Sequence, residues 1–294
     1  MRRAGTPPGR RHRRRPRDPV RPGAPRHGHR RPHRAARGGS AANVAAWLGV
    51  LGQAVDFVGT VHRTDVARHT EELASFGVTP HLAGSDEPTG SIVLLVEGES
   101  RTMFTARGAN ALTGPDRAEG LLRGAGHLHL TGYSLFDDPS AWSPLLASAA
   151  QLGLTVSIDP SSSAFLADSG IDAFLTATAG ADVIFPNLDE GRLLSGRTDP
   201  AEVAEALGEL YPIVAVTLGP DGAELRTRHG FSGRVPAALP QGGLVDPTGA
   251  GDAFAAGFLA AWLGGAEPHA AGIAGAAVAA RAVAAVGARP APPS

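Results

Sequence analysis

From Gly38 onward, short apolar runs of strand length alternate with longer segments of helical period, and this alternation restricts the folds open to the chain more than any other feature. Residues 41–51 read as a helix with Ser40 as N-cap, 55–58 as a short buried strand and 65–76 as a helix. Strand-like runs at 78–82, 91–96 and 102–106 follow one another directly, which predicts a small sheet, a lid or flap, interrupting the rhythm. The alternation resumes with strands at 127–131, 154–158, 182–185 and 213–218, and helices at 140–152, near 162–178, and at 187–195, 200–209, 249–263 and 269–286. Strands separated by helices imply a mostly parallel sheet covered on both faces. The expectation is an α/β fold whose ligands bind at the carboxyl ends of the strands.

Residues 1–37 follow a different rule. They hold fourteen Arg against a single acid, Asp18, together with seven Pro, and they contain no Ile, Leu, Phe, Trp or Tyr. Such a segment can neither form a strand nor bury a face, so a disordered arm is expected. Its cationic start lacks the apolar stretch of a secretory signal, and its prolines spoil an amphipathic transit helix. The rest of the chain carries 13 Arg against 27 acids, so the net charge of −1 hides a basic arm on an acidic body. An arm of this kind could grip nucleic acid through its phosphates, which is the competing class of function.

Two absences prune the enzyme classes. Without Cys there are no disulfides, thiolate nucleophiles or Cys-ligated zinc sites, which is compatible with a reducing cytoplasm. Without Lys there is no Walker A loop, no protein-kinase strand lysine and no Schiff base. The Ala/Gly-rich stretch 253–287 is interrupted by Glu267, His269 and Arg281, so no membrane span is expected.

The sharpest chemistry lies in LVDPTGAGDAFAAGF, residues 244–258. A strand end runs through Gly249-Ala250-Gly251 into a helix, whose unpaired N–H groups would form an anion hole. Asp252 in the first turn could accept the proton of an attacking hydroxyl. Alone, the same residues also read as a turn whose Asp complements the helix dipole.

Asp246-Pro-Thr-Gly-Ala-Gly-Asp252 resembles the second signature of the PfkB/ribokinase family of carbohydrate kinases, and Gly38-Gly39-Ser-Ala-Ala-Asn43-Val-Ala resembles the first. The resemblance implies a ribokinase-like three-layer α/β/α sandwich with a small β lid, and ATP-dependent phosphorylation of a sugar hydroxyl. It implies Asp252 as the base, Gly249, Ala250 and Gly251 as the anion hole, and Gly38, Gly39 and Asn43 as sugar contacts. Read blandly, the two glycines are a hinge and Asn43 an exposed helix residue. Phe185-Pro-Asn187-Leu-Asp-Glu190 resembles the family's N-P-N-x-x-E element with Phe in place of the leading Asn, so Asn187 and Glu190 would organise Mg²⁺ on the ATP phosphates, Glu190 through water. The same residues spell a helix capping box, and both readings can hold. Thr217-Leu-Gly219-Pro-Asp-Gly222 resembles the nucleotide loop, with a plain hairpin turn as the alternative.

Arg107 lies where some family members place a substrate-binding Arg and would suit a carboxylate or phosphate; a solvated strand Arg is the bland reading. Asp159, ending a strand before Pro160, could touch substrate or metal or merely start a turn, and Asp246 with Thr248 matches a monovalent-cation position, K⁺ being the candidate, in several relatives. His127 and His129 share one strand face and, lacking a third ligand, are expected to pack rather than bind metal.

Family kinases normally open with an apolar strand, an Asp that anchors substrate and lid strands, all ahead of the double glycine. The Arg/Pro arm stands in their place, and its composition is what GC-rich DNA yields out of frame. The expectation is a frameshifted or misannotated start just upstream of Gly38 and, if the arm is genuine, a sheet with one unpaired position and weak activity. A nucleoside kinase of the same family and a catalytically impaired scaffold with a nucleic-acid-binding arm are the alternatives. Family dimers often use the lid, which leaves a homodimer open.

Overall fold

Ile213-Val-Ala-Val-Thr217 is apolar along nearly its whole length because both of its faces are covered. Ile213 and Ala215 enter one core, and Val214 and Val216 enter another on the opposite side of the sheet. The computed structural model describes residues 38–97, 100–228 and 230–291; the expectations for the arm at 1–37 lie outside them. The chain runs α1 (Ser40–Val50), β1 (Val55–His62), α2 (Val66–Ala74), β2 (Val78–Ser85), β3 (Ser91–Glu97) and β4 (Ser100–Ala106). It continues through α3 (Asp116–Glu119), β5 (His127–Thr131), α4 (Gly132–Leu135), α5 (Ser143–Gln151), β6 (Thr155–Asp159), α6 (Ser163–Ser169) and α7 (Ile171–Thr178). The last part comprises β7 (Val183–Ile184), α8 (Leu188–Ser195), α9 (Pro200–Gly208), β8 (Ile213–Thr217), β9 (Ala223–Thr227), β10 (Ser232–Val235), α10 (Ala250–Leu263) and α11 (Pro268–Val283).

Six strands form the main sheet in the order β10-β9-β8-β7-β6-β5, with β5 to β8 parallel and β9 and β10 antiparallel. The register aligns Leu130, Ile158, Ile184 and Val214 as one row across the four parallel strands. That row faces a core closed by Leu145, Leu166, Phe174, Leu194, Leu207 and Tyr211. The opposite face is covered by α1, α10 and α11, through Val44, Trp47, Phe254, Phe258 and Leu259. Each such side chain, fully buried, contributes about 1.5–3 kcal/mol. α10 and α11 are rich in Ala and Gly because they lie close together: a Cβ on Gly257 would sit 2.9 Å from the Ala274 carbonyl.

Two features depart from the sequence reading. The strand-like runs at 78–82, 91–96 and 102–106 do not form one small sheet, since β2 pairs in parallel with β1 while β3 and β4 form a separate antiparallel ribbon. β9 and β10, five and four residues long, are not among the strands expected from the sequence; β9 pairs with β8 across the tight turn at Gly219–Gly222, and β10 pairs with β9. Among the described residues β5 has a strand partner on one side only, and α1 packs over both it and β1.

Candidate active site

The parallel strands deliver Tyr133, Asp159, Asn187 and Thr217 to one end of the sheet, the carboxyl end where open α/β sheets bind ligands. α10 starts at the same place. Gly249, in the left-handed region at φ 78°, is its N-cap, and a Cβ there would lie 2.5 Å from the Ala288 Cβ and 2.8 Å from its Cα. The Ala250 N–H donates to the Pro247 carbonyl at 3.2 Å, which takes one of the three residues expected in the anion hole out of it. The N–H groups of Gly251 and Asp252 follow in the first helical turn, where no intrahelical acceptor exists.

Asp252 is half-buried and receives a donor on each oxygen. Ser40 Oγ donates to Oδ1 at 2.7 Å and Asn43 Nδ2 to Oδ2 at 2.8 Å. Ser40 is therefore not the N-cap of α1. Gly39 holds that position at φ 109°, which frees the Ser40 hydroxyl to reach the carboxylate. Asn43 is buried, not exposed as its bland reading would have it. Desolvation raises the Asp252 carboxyl to about 6 even though the Asn43 and Ser40 hydrogen bonds pull it down.

Two more buried carboxylates share this end of the sheet. Glu190 closes a capping box on α8: its Oε2 accepts from the Asn187 N–H at 2.9 Å, and its own N–H donates to Asn187 Oδ1 at 2.9 Å. Burial lifts Glu190 to about 7 against those hydrogen bonds, with the charges of Asp189 and Asp252 adding to the rise. Burial, then the charges of Glu190 and Asp252, hold Asp159 well above the usual carboxylate range, while Ser161 at φ 69° bonds back to it. The Tyr133 phenol is raised by burial and then by Asp252, Asp159 and Glu190. The charge of Asp252 reaches both Glu190 and Asp159, and that of Glu190 reaches Asp159, so this end of the sheet concentrates carboxylates, chemistry that suits a divalent cation with oxygen ligands. Among the described residues no three metal-ligating side chains converge on one point.

Thr217 bridges to Asn187 and donates its N–H to the Pro186 carbonyl at 2.9 Å, placing the two expected nucleotide elements side by side. Gly219 to Gly222 form the tight turn from β8 into β9, the hairpin of the bland reading. Only glycine fits at Gly222, whose φ is 89° and whose Cβ would meet the Val235 carbonyl oxygen at 2.0 Å.

The model of the pfkB family carbohydrate kinases matches residues 27–294. The chain belongs to this family. An ATP-dependent ribose-1-phosphate kinase of Halopiger xanaduensis is 34% identical over 240 residues, covering 79% of this chain and 75% of that protein. A probable sugar kinase from Rhizobium etli superposes with a TM-score of 0.79 at 29% identity, covering 87% of this chain and 79% of the other. An adenosine kinase from Sinorhizobium meliloti superposes with a TM-score of 0.78 at 27% identity, covering 86% and 79%. The fold is ribokinase-like, and the chain is a phosphotransferase acting on a hydroxyl acceptor.

In this pfkB kinase the remaining predicted residues fall into two groups. Asp246 braces the loop before α10: its Oδ1 accepts from Thr248 N and Oγ1 at 3.0 and 2.7 Å, and its Oδ2 from Gly287 N at 3.2 Å. Arg107 is not a solvated strand residue. It follows β4 with only 16% of its side chain exposed, pairs with Asp137 and donates to the Tyr133 carbonyl at 2.8 Å. His127 and His129 are packed as expected, hydrogen-bonded to Thr155 and Ser157, and burial pushes them down to about 4 and 3. Gly38 touches the site through its carbonyl, which accepts from Arg289 at 2.8 Å. Sequence reasoning missed Arg289 and Glu72. Neither belongs to a recognisable motif, and only folding brings Arg289 to Asn43 and Glu72 to Arg289. Among the described residues no helix is long and apolar enough to cross a membrane.

Proposed function

We infer that this carbohydrate kinase transfers the γ-phosphoryl group of ATP to a hydroxyl of a sugar that carries an anionic group, with Asp252 as the base. The observation that carries the catalytic part is the carboxylate at the start of α10 with a donor on each oxygen, half-buried and raised to about 6. A group with that pKa is ionised at neutral pH and still basic enough to take a proton from a positioned hydroxyl. As the acceptor oxygen forms its bond to the γ-phosphorus, its proton passes to Asp252. The bond to the bridging oxygen breaks, and its electron pair leaves on ADP. The N–H groups of Gly249, Gly251 and Asp252 face the transferring phosphoryl group.

Gly38, Gly39 and Asn43 line the sugar side, and Asn187, Thr217, Gly219 and Gly222 the nucleotide side. Glu190 would help hold Mg²⁺ on the phosphates, and the Asp246 loop would take a monovalent cation such as K⁺. When bound, Mg²⁺ neutralises charge on the phosphates. ATP as donor implies a cytoplasmic setting. The metal and cap readings of Glu190 separate in Glu190→Gln, which keeps an oxygen acceptor for the Asn187 N–H. The melting temperature should not fall, and above pH 7 it should rise by a few degrees because a neutral amide avoids burying charge, while the Mg²⁺ concentration for half-maximal rate rises by about 10-fold or more. An unchanged Mg²⁺ dependence removes Glu190 from the metal site.

Arg107 supports the anionic substituent. Among the described residues its buried Nε has no hydrogen-bond partner, and its ion-pair partner Asp137 is 63% exposed, so an incoming phosphate or carboxylate could replace it on the guanidinium. The likeness to a ribose-1-phosphate kinase points the same way. The test is ATP-dependent turnover on neutral sugars, sugar phosphates, sugar acids and adenosine. An anionic sugar should give the highest kcat/KM, and Arg107→Met should lower it by about 10²-fold while changing neutral sugars little. A preference for adenosine or a neutral sugar overturns the anionic reading, and adenosine would favour the nucleoside-kinase alternative.

A further inference from the structure

Beyond the last helix, Arg289 reaches back into the site. Its Nε donates to Asn43 Oδ1 at 3.3 Å, its Nη1 to Glu72 Oε1 at 2.8 Å and its Nη2 to the Gly38 carbonyl at 2.8 Å. The side chains of this Arg289–Glu72 pair are only 8% and 11% exposed, and a buried pair is costly to form, which makes it weak evidence for stability alone. We propose that Arg289 is a positioning residue for phosphoryl transfer, acting through Asn43 to hold the Asp252 carboxylate in its working orientation.

The two ends of the Asn43 amide face groups of opposite charge. Asn43 presents its NH₂ to Asp252 Oδ2 at 2.8 Å and its oxygen to the guanidinium. A half-turn of that amide would set NH₂ against the cation and oxygen against the carboxylate, two repulsive contacts in place of two hydrogen bonds. Arg289 thus selects the one orientation in which Asn43 donates to Asp252. With Ser40 fixing the other oxygen, the carboxylate plane is held from both sides. Arg289 is itself anchored, because Trp47 Nε1 donates to the Ala288 carbonyl at 2.9 Å and Gly287 N to Asp246 Oδ2 at 3.2 Å. The start of α1, α2, the start of α10 and the C-terminal loop meet on this one relay. Among the described residues, charged and titratable groups around it include Glu72 and His69 on α2, Asp159 at the end of β6, Glu190 on α8 and Tyr133 on α4.

This inference rests on Asp252 being the base, so the experiment includes Asp252→Asn. In full-length protein, Arg289→Met should lower kcat about 10-fold or more, since small misplacements of reacting groups are costly, with KM for ATP within about twofold. In an Asn43→Ala background the same change should alter kcat by less than about twofold, because the relay is already cut. A merely structural Arg289 would give effects that multiply, with KM and melting temperature moving together, and that result overturns the proposal. Should Arg289→Met fail to fold, Arg289→Gln takes its place in the same cycle with the same two outcomes. An activity-independent reading comes from the Asn43 side-chain amide protons by ¹⁵N NMR. They should be shifted and protected from exchange in the wild type and lose both properties in the variant; unchanged signals overturn the proposal. Near-normal turnover of Asp252→Asn instead overturns the assignment of the base, which separates the two failures.

Discussion

Asp252→Asn should lower kcat by about 10²–10⁴-fold, the range expected when a general base is removed. Asn matches Asp in size and keeps an oxygen that accepts from Ser40 or Asn43, so the loss would come from the missing proton acceptor. The wild-type kcat/KM should fall on the acid side with a limb near pH 6, following the raised carboxyl, and the variant should lack that limb. Stability should move the opposite way. A carboxyl whose folded pKa lies above its unfolded value of 3.8 binds the proton more tightly when folded. Folding is therefore penalised progressively as pH rises through the interval between those two values, and fully above about 6. Replacing it by a neutral amide should stabilise the protein by about 1–3 kcal/mol at pH 8 and hardly at all at pH 3.5. Thermal melts at the two pH values check this, and turnover near the wild-type rate would remove Asp252 from the mechanism.

Gly249→Ala should cost about 2–4 kcal/mol of stability, since it combines a strained backbone with a clash in a packed turn. The left-handed φ of 78° is one source, and the other is a Cβ placed 2.5–3.0 Å from three atoms of Ala288. Ala288 precedes Arg289 and accepts from Trp47, so displacing it also disturbs the relay to Asp252, and kcat should fall with the melting temperature. Gly251→Ala is the control. A Cβ there meets nothing within 4 Å and its φ is not in the left-handed region, so that variant should melt with the wild type. Any loss of its turnover then reports crowding at the bound phosphoryl group. If Gly249→Ala melts with the wild type as well, the close approach to Ala288 does not constrain the fold.

The motifs did most of the functional reading because each is a local stretch whose chemistry follows from neighbours in sequence. Gly249-Ala-Gly-Asp252 sets a turn and a helix start within a few residues, and Asn187 to Glu190 closes its own capping box. The row of Leu130, Ile158, Ile184 and Val214 was legible for a similar reason: apolar runs spaced by helices leave a parallel sheet as the way to bury both faces. Less local features were not legible. β2 looks like the neighbouring strand runs yet pairs with β1, because strand pairing depends on where edges meet in space. Ser40 has the residue type of an N-cap and instead bonds a carboxylate more than two hundred residues away.

By itself, then, the sequence determined the α/β architecture and the order of the parallel strands along the chain, and it offered the residues proposed to meet ATP and a hydroxyl. Periodicity and turn chemistry are properties of short segments, and they survive without knowledge of the rest. The tertiary structure alone decided which groups share an electrostatic environment. It brought Asp252 close enough to raise Glu190, and both close enough to raise Asp159, buried Arg107 beside Tyr133, and carried Arg289 from the C-terminal loop to Asn43. Hydrogen bonds and desolvation act over a few ångströms of space whatever the separation along the chain, so these couplings exist only once the two faces of the sheet have closed.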